Sequence, residues 1–225
     1  MSAEFSISLM CLDYLKIREQ IEILNTRADY YHIDIMDGHY CKNITLSPDF
    51  MRAVKKISKL PLDVHLMTEY PGDFIDEVRN AGAEWISPHA ETINVDAFRT
   101  INKIKSLGAK AGVVLNPATP LEYIKYYAGK LDMVTIMTVD VGYAGQPFID
   151  EMLDKIRLAK QWKKQYGYTY KISVDGSCNV KTFKKLHDAG AEIFVAGSSG
   201  LFSLDPDLSA AYDRMLRNFK AETSV

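Results

Sequence analysis

Two histidines and two aspartates stand in runs that otherwise read as apolar strands. In YHIDIMDGH, from Tyr31 to His39, side chains alternate, so His32, Asp34 and Met36 share one face while Tyr31, Ile33 and Ile35 share the other. LPLDVHLM sets Asp63 and His65 against Leu62, Val64 and Leu66, and YKISVDG sets Ser173 and Asp175 against Tyr170, Ile172 and Val174. Unpaired buried charge is costly, so these groups are expected to meet. A lone buried histidine is ordinarily a hydrogen-bonded core residue. His32, Asp34, His65 and Asp175, at matching depths of three strands, are instead read as a ligand set for one divalent ion. Nitrogen and oxygen donors suit Zn²⁺, Mn²⁺, Fe²⁺ or Co²⁺ without choosing among them. Asp37 and His39 lie just past the strand end and are assigned to loop hydrogen bonding.

A second chemistry is written in glycines. Val141-Gly142-Tyr143-Ala144-Gly145-Gln146 follows one apolar run, and Gly197-Ser198-Ser199-Gly200 follows the last. Bare N–H groups in such turns and at helix N-termini hold phosphate without a lysine or arginine. Each loop alone could be a tight turn. Two of them beside an acid-rich centre point to a sugar phosphate. Met10, Met36, Met67 and Met137 also fall near strand ends, where they serve as soft packing or as an apolar lining that keeps water out.

The elements that must position these groups repeat with little linker. FSISLM precedes a helical pattern from Asp13 to Leu24, YYHIDIM precedes Asp49 to Ile57, and LDVHLM precedes Pro71 to Asn80. WISPH, KAGVVLN and MVTIMTV precede Val95 to Leu107, Pro120 to Tyr127 and Asp150 to Tyr166. YTYKISVD and EIFVAG precede Asn179 to Ala189 and Pro206 to Phe219. Gly82, Gly108 and Gly190 suit helix C-terminal caps, Asn94 and Asn179 suit N-caps, and Pro71, Pro120 and Pro206 suit first turns. Eight such units without a glycine-rich loop after the first strand predict an α/β fold, a closed (β/α)₈ TIM barrel, in a single domain over residues 1–225. In such a barrel the C-terminal strand ends form the site, where the four candidate ligands fall.

Composition agrees and excludes. With 225 residues, 47% of them hydrophobic, the chain can bury one barrel core, and a net charge of -2 without long charge blocks gives no nucleic-acid or membrane surface. No apolar run reaches the ~18 residues needed to span a bilayer, and no basic-then-apolar leader opens the chain, so a cytoplasmic protein is expected. Cys11, Cys41 and Cys178 are odd in number and lack paired spacing, which reads as reduced thiols. A homo-oligomer is expected.

HIDIMDGH, DVHLM, HAETI, LNPATP, VGYAGQPF and VDGSCN together resemble the ribulose-phosphate 3-epimerase family from about Phe5 to Phe202. The resemblance implies metal ligation by His32, Asp34, His65 and Asp175, with Asp34 and Asp175 as the two catalytic acids. It implies substrate contacts from Ser8, His65, Gly142, Tyr143, Ala144, Gly145, Gly176, Ser177, Gly197, Ser198 and Ser199. It also implies proton abstraction beside a carbonyl: a metal on the C2 and C3 oxygens stabilises a cis-enediolate, one aspartate removes the C3 proton, and the other returns a proton to the opposite face.

The loops depart from the pentulose-phosphate pattern, which reads P-G-F-G-G, D-G-G and G-S-A-I-F where this chain has VGYAG, DGS and GSSGLF. Ala144, VDGSCN, SSGLF, HAETIN and PFIDEMLDK resemble the D-allulose-6-phosphate 3-epimerase branch, whose ketose is one carbon longer. Ile7 and Val141 replace prolines common to both branches. The expected reaction is D-allulose 6-phosphate to D-fructose 6-phosphate, with D-ribulose 5-phosphate to D-xylulose 5-phosphate as the alternative. A sugar-phosphate lyase or decarboxylase fits less well, because a related group carries D-x-K-x-x-D where this chain has Asp63-Val64-His65-Leu66-Met67-Thr68. A catalytically silent binding protein would not need both acids.

Overall fold

A computed structural model describes residues 3–223, so two residues at each end of the expected 1–225 domain lie outside the described residues. Eight parallel strands form the wall: β1 (Glu4–Ser8), β2 (Tyr30–Asp37), β3 (Leu62–Met67), β4 (Ala83–Pro88), β5 (Lys110–Leu115), β6 (Met133–Met137), β7 (Lys171–Asp175) and β8 (Ile193–Ala196). Each pairs with the next, and β1 also pairs with β8, so the sheet closes on itself as a (β/α)₈ barrel. The two-residue strand Ile44–Thr45 hangs antiparallel on the end of β2.

Among the described residues seven α-helices cover the outside: α1 (Ile17–Leu24), α2 (Pro48–Lys55), α3 (Ile75–Asn80), α4 (Ala97–Ser106), α5 (Met152–Tyr166), α6 (Phe183–Ala189) and α7 (Leu208–Thr223). Between β5 and β6 the expected helix from Pro120 to Tyr127 is replaced by 3₁₀ turns at Leu121–Ile124 and Ala128–Lys130. Leu121, Ile124 and Tyr127 are buried and spaced by three, the period that aligns on a 3₁₀ turn and drifts on an α-helix. The helix starts also shift. Asp96, not Asn94, occupies the position before α4, and Asn179 opens the turn ahead of α6 by accepting from the Lys181 N–H at 3.0 Å. Gly190 caps α6 in the left-handed region, as expected.

The apolar core lies between wall and helices, where Tyr31, Ile33, Leu62, Val64, Leu66, Ile172 and Val174 point. Their alternate neighbours therefore point into the barrel. Register then decides which of those meet. His32 pairs with Asp63 and with Ser8, Asp34 pairs with His65, and Asp175 pairs with Met137 and Val195. The polar groups of three strands are thus brought to one level at the C-terminal end. Among the described residues no helix is long and apolar enough to cross a membrane.

Candidate active site

His32 and Asp34 stand two residues apart on β2, so both face inward at successive levels, and His65 arrives beside Asp34 from β3. Asp175 closes the group from the end of β7. His32 Nε2 lies 3.3 Å from Asp34 Oδ1 and 3.5 Å from Asp175 Oδ2, and His65 Nδ1 lies 3.5 Å from each of the same oxygens. All four atoms fall within 4.8 Å of one another. The four residues expected to ligate are therefore brought together.

The cluster is anchored from behind. His32 Nδ1 donates to Asp63 Oδ2 at 2.8 Å, and Ser6 Oγ donates to the same oxygen at 3.3 Å. Ser8 Oγ donates to Asp34 Oδ2 at 2.8 Å, leaving Oδ1 to the cluster. His65 Nε2 contacts His89 Nε2 at 2.8 Å, and His89 Nδ1 lies 3.3 Å from Glu91 Oε2.

Charge state follows from these neighbours. Burial pulls the His32 imidazolium down, but the Asp34 and Asp63 carboxylates override it and hold the group well above 6.5. His65 is raised for the same reason, burial losing to Asp175 and Asp34. Burial pushes Asp34 and Asp175 up, and the two imidazoles override it and hold both below the usual carboxylate range. His89 goes the other way, because burial outweighs Glu91 and lowers it to about 4.

The residues fit a divalent ion. His32 Nε2 and His65 Nδ1 are buried yet form no hydrogen bond of proper geometry. Separations of 3.3 to 3.5 Å match the ~3.3 Å edge expected for nitrogen and oxygen ligands at ~2.0–2.1 Å from a shared ion. The second ring nitrogen of each histidine is already committed, as in metal-binding histidines generally.

Above the cluster opens a cleft that is partly enclosed by the loops at the C-terminal strand ends. Ser8, Gly142, Tyr143, Ala144, Gly145, Gly176, Ser177, Gly197, Ser198 and Ser199 all line it, as do the four methionines. Of the expected substrate contacts only His65 stays below the lining, fully buried, with Nδ1 in the cluster. Asp175 is the more open acid, its side chain 16% exposed against 6% for Asp34.

The rim loops are tied to one another. Gly142 and Gly145 take φ of 112° and 78°, and Gln146 Nε2 folds back onto the Asp140 and Tyr143 carbonyls. Asn43 Nδ2 donates to the Gly142 carbonyl at 2.7 Å, and Tyr143 OH donates to the Lys42 carbonyl at 2.6 Å, fastening this loop to the one after β2. Ser198–Phe202 forms a π-helical turn after β8, which leaves its first N–H groups without intrahelical partners. Among the described residues no lysine, arginine or histidine lines the cleft. An anion there would meet backbone donors above and carboxylates below.

Asp37 behaves as assigned, accepting from the His39, Tyr40 and Glu69 N–H groups. Ser6, Tyr40, His89, Glu91 and Asn116 support the site without any expectation from sequence, and Asp63, expected to meet the other buried polar groups, does so through His32. A signal was present for His89 and Glu91, since the HAET segment repeats the pairing of histidine with acid.

Comparisons with known proteins find relatives over most of the chain. The sequence profile of the "Ribulose-phosphate 3 epimerase family" matches residues 4–202. Ribulose-phosphate 3-epimerases of Methanocaldococcus jannaschii and Bacillus subtilis are each 42% identical, over 85% of this chain and 81% and 89% of theirs. The Escherichia coli K12 enzyme of that name is 37% identical over 92% of both chains. Among solved structures, 3-hexulose-6-phosphate synthase from Salmonella typhimurium superposes with a TM-score of 0.67 over 97% of this chain and 99% of its own. At 14% identity that likeness speaks for the barrel alone.

Proposed function

We propose that this chain, which belongs to the ribulose-phosphate 3-epimerase family and is an isomerase-class epimerase, inverts C3 of a ketose phosphate with Asp34 and Asp175 as its proton carriers and prefers D-allulose 6-phosphate. The observation that carries the roles is that the two carboxylates flank the same two histidine nitrogens at the floor of a cleft whose rim offers N–H groups and no cationic side chain.

His32, Asp34, His65 and Asp175 would hold one divalent cation, which when bound supplies Lewis-acid charge to the C2 and C3 oxygens of the substrate, an effect worth several kcal/mol. The chain's own residues do the rest. Asp34 is locked by the Ser8 hydroxyl, so the aim of its reactive oxygen is fixed. Asp175 reaches in from β7, with β8 and β1 between it and the Asp34 strand. One carboxylate takes the C3 proton on its side, and the other delivers a proton from the far side, which inverts the centre. The carboxyl that delivers must enter the turnover protonated and the one that accepts must be ionised, so the two exchange protonation states. The imidazoles hold both below the usual carboxylate range, and the ionised one serves as a base only because the substrate proton is itself acidified. Met10, Met36, Met67 and Met137 exclude water that would otherwise quench or exchange the carbanion early.

The hexulose preference is supported at the phosphate end. Both candidate ketoses present the same C2 and C3, so the extra carbon and hydroxyl of the hexulose must be taken up near the rim. Ser177 stands where the pentulose pattern has glycine, and it holds φ at 50°, a left-handed value that costs a side-chain residue about 1–2 kcal/mol. Its hydroxyl donates to the Gln146 carbonyl, and its own carbonyl accepts from Asn179 Nδ2 and Thr182 Oγ1. Asn179 Nδ2 also reaches Ser199 Oγ at 3.1 Å. Loops after β6, β7 and β8 are thus laced by hydroxyl and amide groups able to recognise one more hydroxyl.

The names of the curated relatives favour a second reading, D-ribulose 5-phosphate. Turnover of both substrates by one preparation decides between them. A pocket that merely leaves room discriminates by about 10 to 200-fold, and one that hydrogen-bonds the hydroxyl discriminates more. The expected result is higher kcat/KM for the allulose phosphate with detectable pentulose turnover. Equal or better turnover of the pentulose would overturn the substrate assignment while leaving the proton chemistry intact. We extend the proposal to a homo-oligomer, supported by the exposed Val95, Phe98 and Tyr126, and sedimentation at the mass of one chain would remove that part.

A further inference from the structure

The HAET segment places a second histidine and a glutamate next to the cluster without contributing a ligand. His89 is fully buried just past β4, and its Nε2 lies 2.8 Å from His65 Nε2. Two ring nitrogens at that distance share one hydrogen, so one is N–H and the other is a lone pair. On the far side His89 Nδ1 faces Glu91 Oε2 at 3.3 Å, and neither atom has another partner among the described residues. Glu91 is held from its other oxygen, Oε1, which accepts from the Asn116 N–H at 3.0 Å and from Thr119 Oγ1. Tyr40 packs on the His89 ring with centroids 4.6 Å apart, and Asn116 Nδ2 donates to its hydroxyl.

We propose that Glu91 and His89 are positioning residues that fix the tautomer of His65, so that His65 Nδ1 offers a lone pair to the cluster formed with His32, Asp34 and Asp175. The argument is donor and acceptor counting. The Glu91 carboxylate only accepts, so His89 Nδ1 carries the hydrogen. A neutral imidazole has one, so His89 Nε2 is a lone pair and accepts from His65 Nε2–H. His65 Nδ1 is then bare. His32 obtains the same result directly from Asp63, whereas His65 obtains it through an intervening ring. The proposal rests on the metal-site reading given above, since only there does a bare Nδ1 matter.

Glu91→Gln tests it with nearly constant shape. The two donors that hold Oε1 claim the carboxamide oxygen and turn its NH₂ toward His89 Nδ1. His89 Nδ1 must then accept, His89 Nε2 must donate, and His65 is driven to the Nδ1–H form. The measurements are imidazole ¹⁵N spectra of the chelator-stripped full chain, taken alkaline enough that His32 and His65 are neutral, and Zn²⁺ affinity by competition with a chromophoric chelator. In the unsubstituted protein we expect His65 as Nε2–H and His89 as Nδ1–H. In Glu91→Gln we expect both inverted, His32 unchanged, and Zn²⁺ affinity reduced about 10- to 100-fold, the usual effect of losing an outer partner of a ligating histidine. His65 found as Nδ1–H in the unsubstituted protein overturns the proposal, and this holds even if the variant does not fold. So does a folded variant with unchanged tautomers, or with affinity within about twofold. An unsubstituted protein that binds no Zn²⁺ at all sinks the metal reading instead, and the spectra still decide the tautomers.

Discussion

Binding of a divalent ion should expel protons, and the cluster sets how many. Without the ion, two buried carboxylates held ionised face two imidazoles held above their ordinary value. Near neutral pH up to two imidazolium protons therefore stand in for the two charges of the ion. Each must leave before its nitrogen can ligate. Below the raised imidazole values, affinity should fall up to tenfold per proton per pH unit, or about 2.7 kcal/mol per pH unit for two.

Stability moves in step with this. The raised imidazoles stabilise the ion-free fold fully below about pH 6.5, and that contribution is lost as pH rises through their folded values. The depressed carboxylates stabilise it above about pH 4, and that contribution is lost only as pH falls through theirs. The gain in Tm on adding ion should accordingly be small near about pH 5 and grow toward about pH 8. Calorimetric titration of Zn²⁺ in buffers of different ionisation enthalpy counts the protons directly. Release of fewer than about half a proton per ion near pH 6, with affinity flat in pH, would refute the reasoning.

Asp34→Asn and Asp175→Asn should each lower the rate by at least about 10²-fold with the fold retained by circular dichroism, and near-native turnover of either would remove that residue as a proton carrier. Solvent deuterium should enter C3 of the product, as mass spectrometry would detect, because both carriers exchange with water between turnovers. Gly200→Ala would drive a Cβ into the Cys178 carbonyl oxygen, a backbone atom that cannot step aside. It should cost about 1–3 kcal/mol in thermal unfolding and raise KM for the phosphorylated substrate through the displaced turn after β8. An unchanged Tm would contradict that packing.

The strands, their order and the four cluster residues were legible in the sequence because a period of two is strict. A histidine two residues from an aspartate must share its face, whatever the rest of the chain does. Helix boundaries were less legible, since Asn94 and Asp96 are both N-cap residue types and the helix starts after Asp96, whose side chain makes no capping hydrogen bond. The segment after Pro120 misled for a related reason: its apolar spacing of three suits both a worn α-helix and 3₁₀ turns, and burial against the barrel selected the latter.

Strict alternation in the sequence was enough to say which residue types reach the C-terminal mouth of the barrel, the loop motifs showed a departure from the pentulose pattern, and the two together raised the expectation of a divalent ion and a phosphate there. Tertiary structure alone decided the partners. Whether His32 leans on Asp63 depends on the register between β2 and β3, and a one-residue slip would have sent Asp63 to the other face. The contact of His65 with His89, and of His89 with Glu91, is set by the stagger of β3, β4 and the loop carrying Asn116 and Thr119. Periodicity fixes the direction of a side chain, but the hydrogen bond that fixes its tautomer comes from a neighbour that only the closed sheet brings within reach.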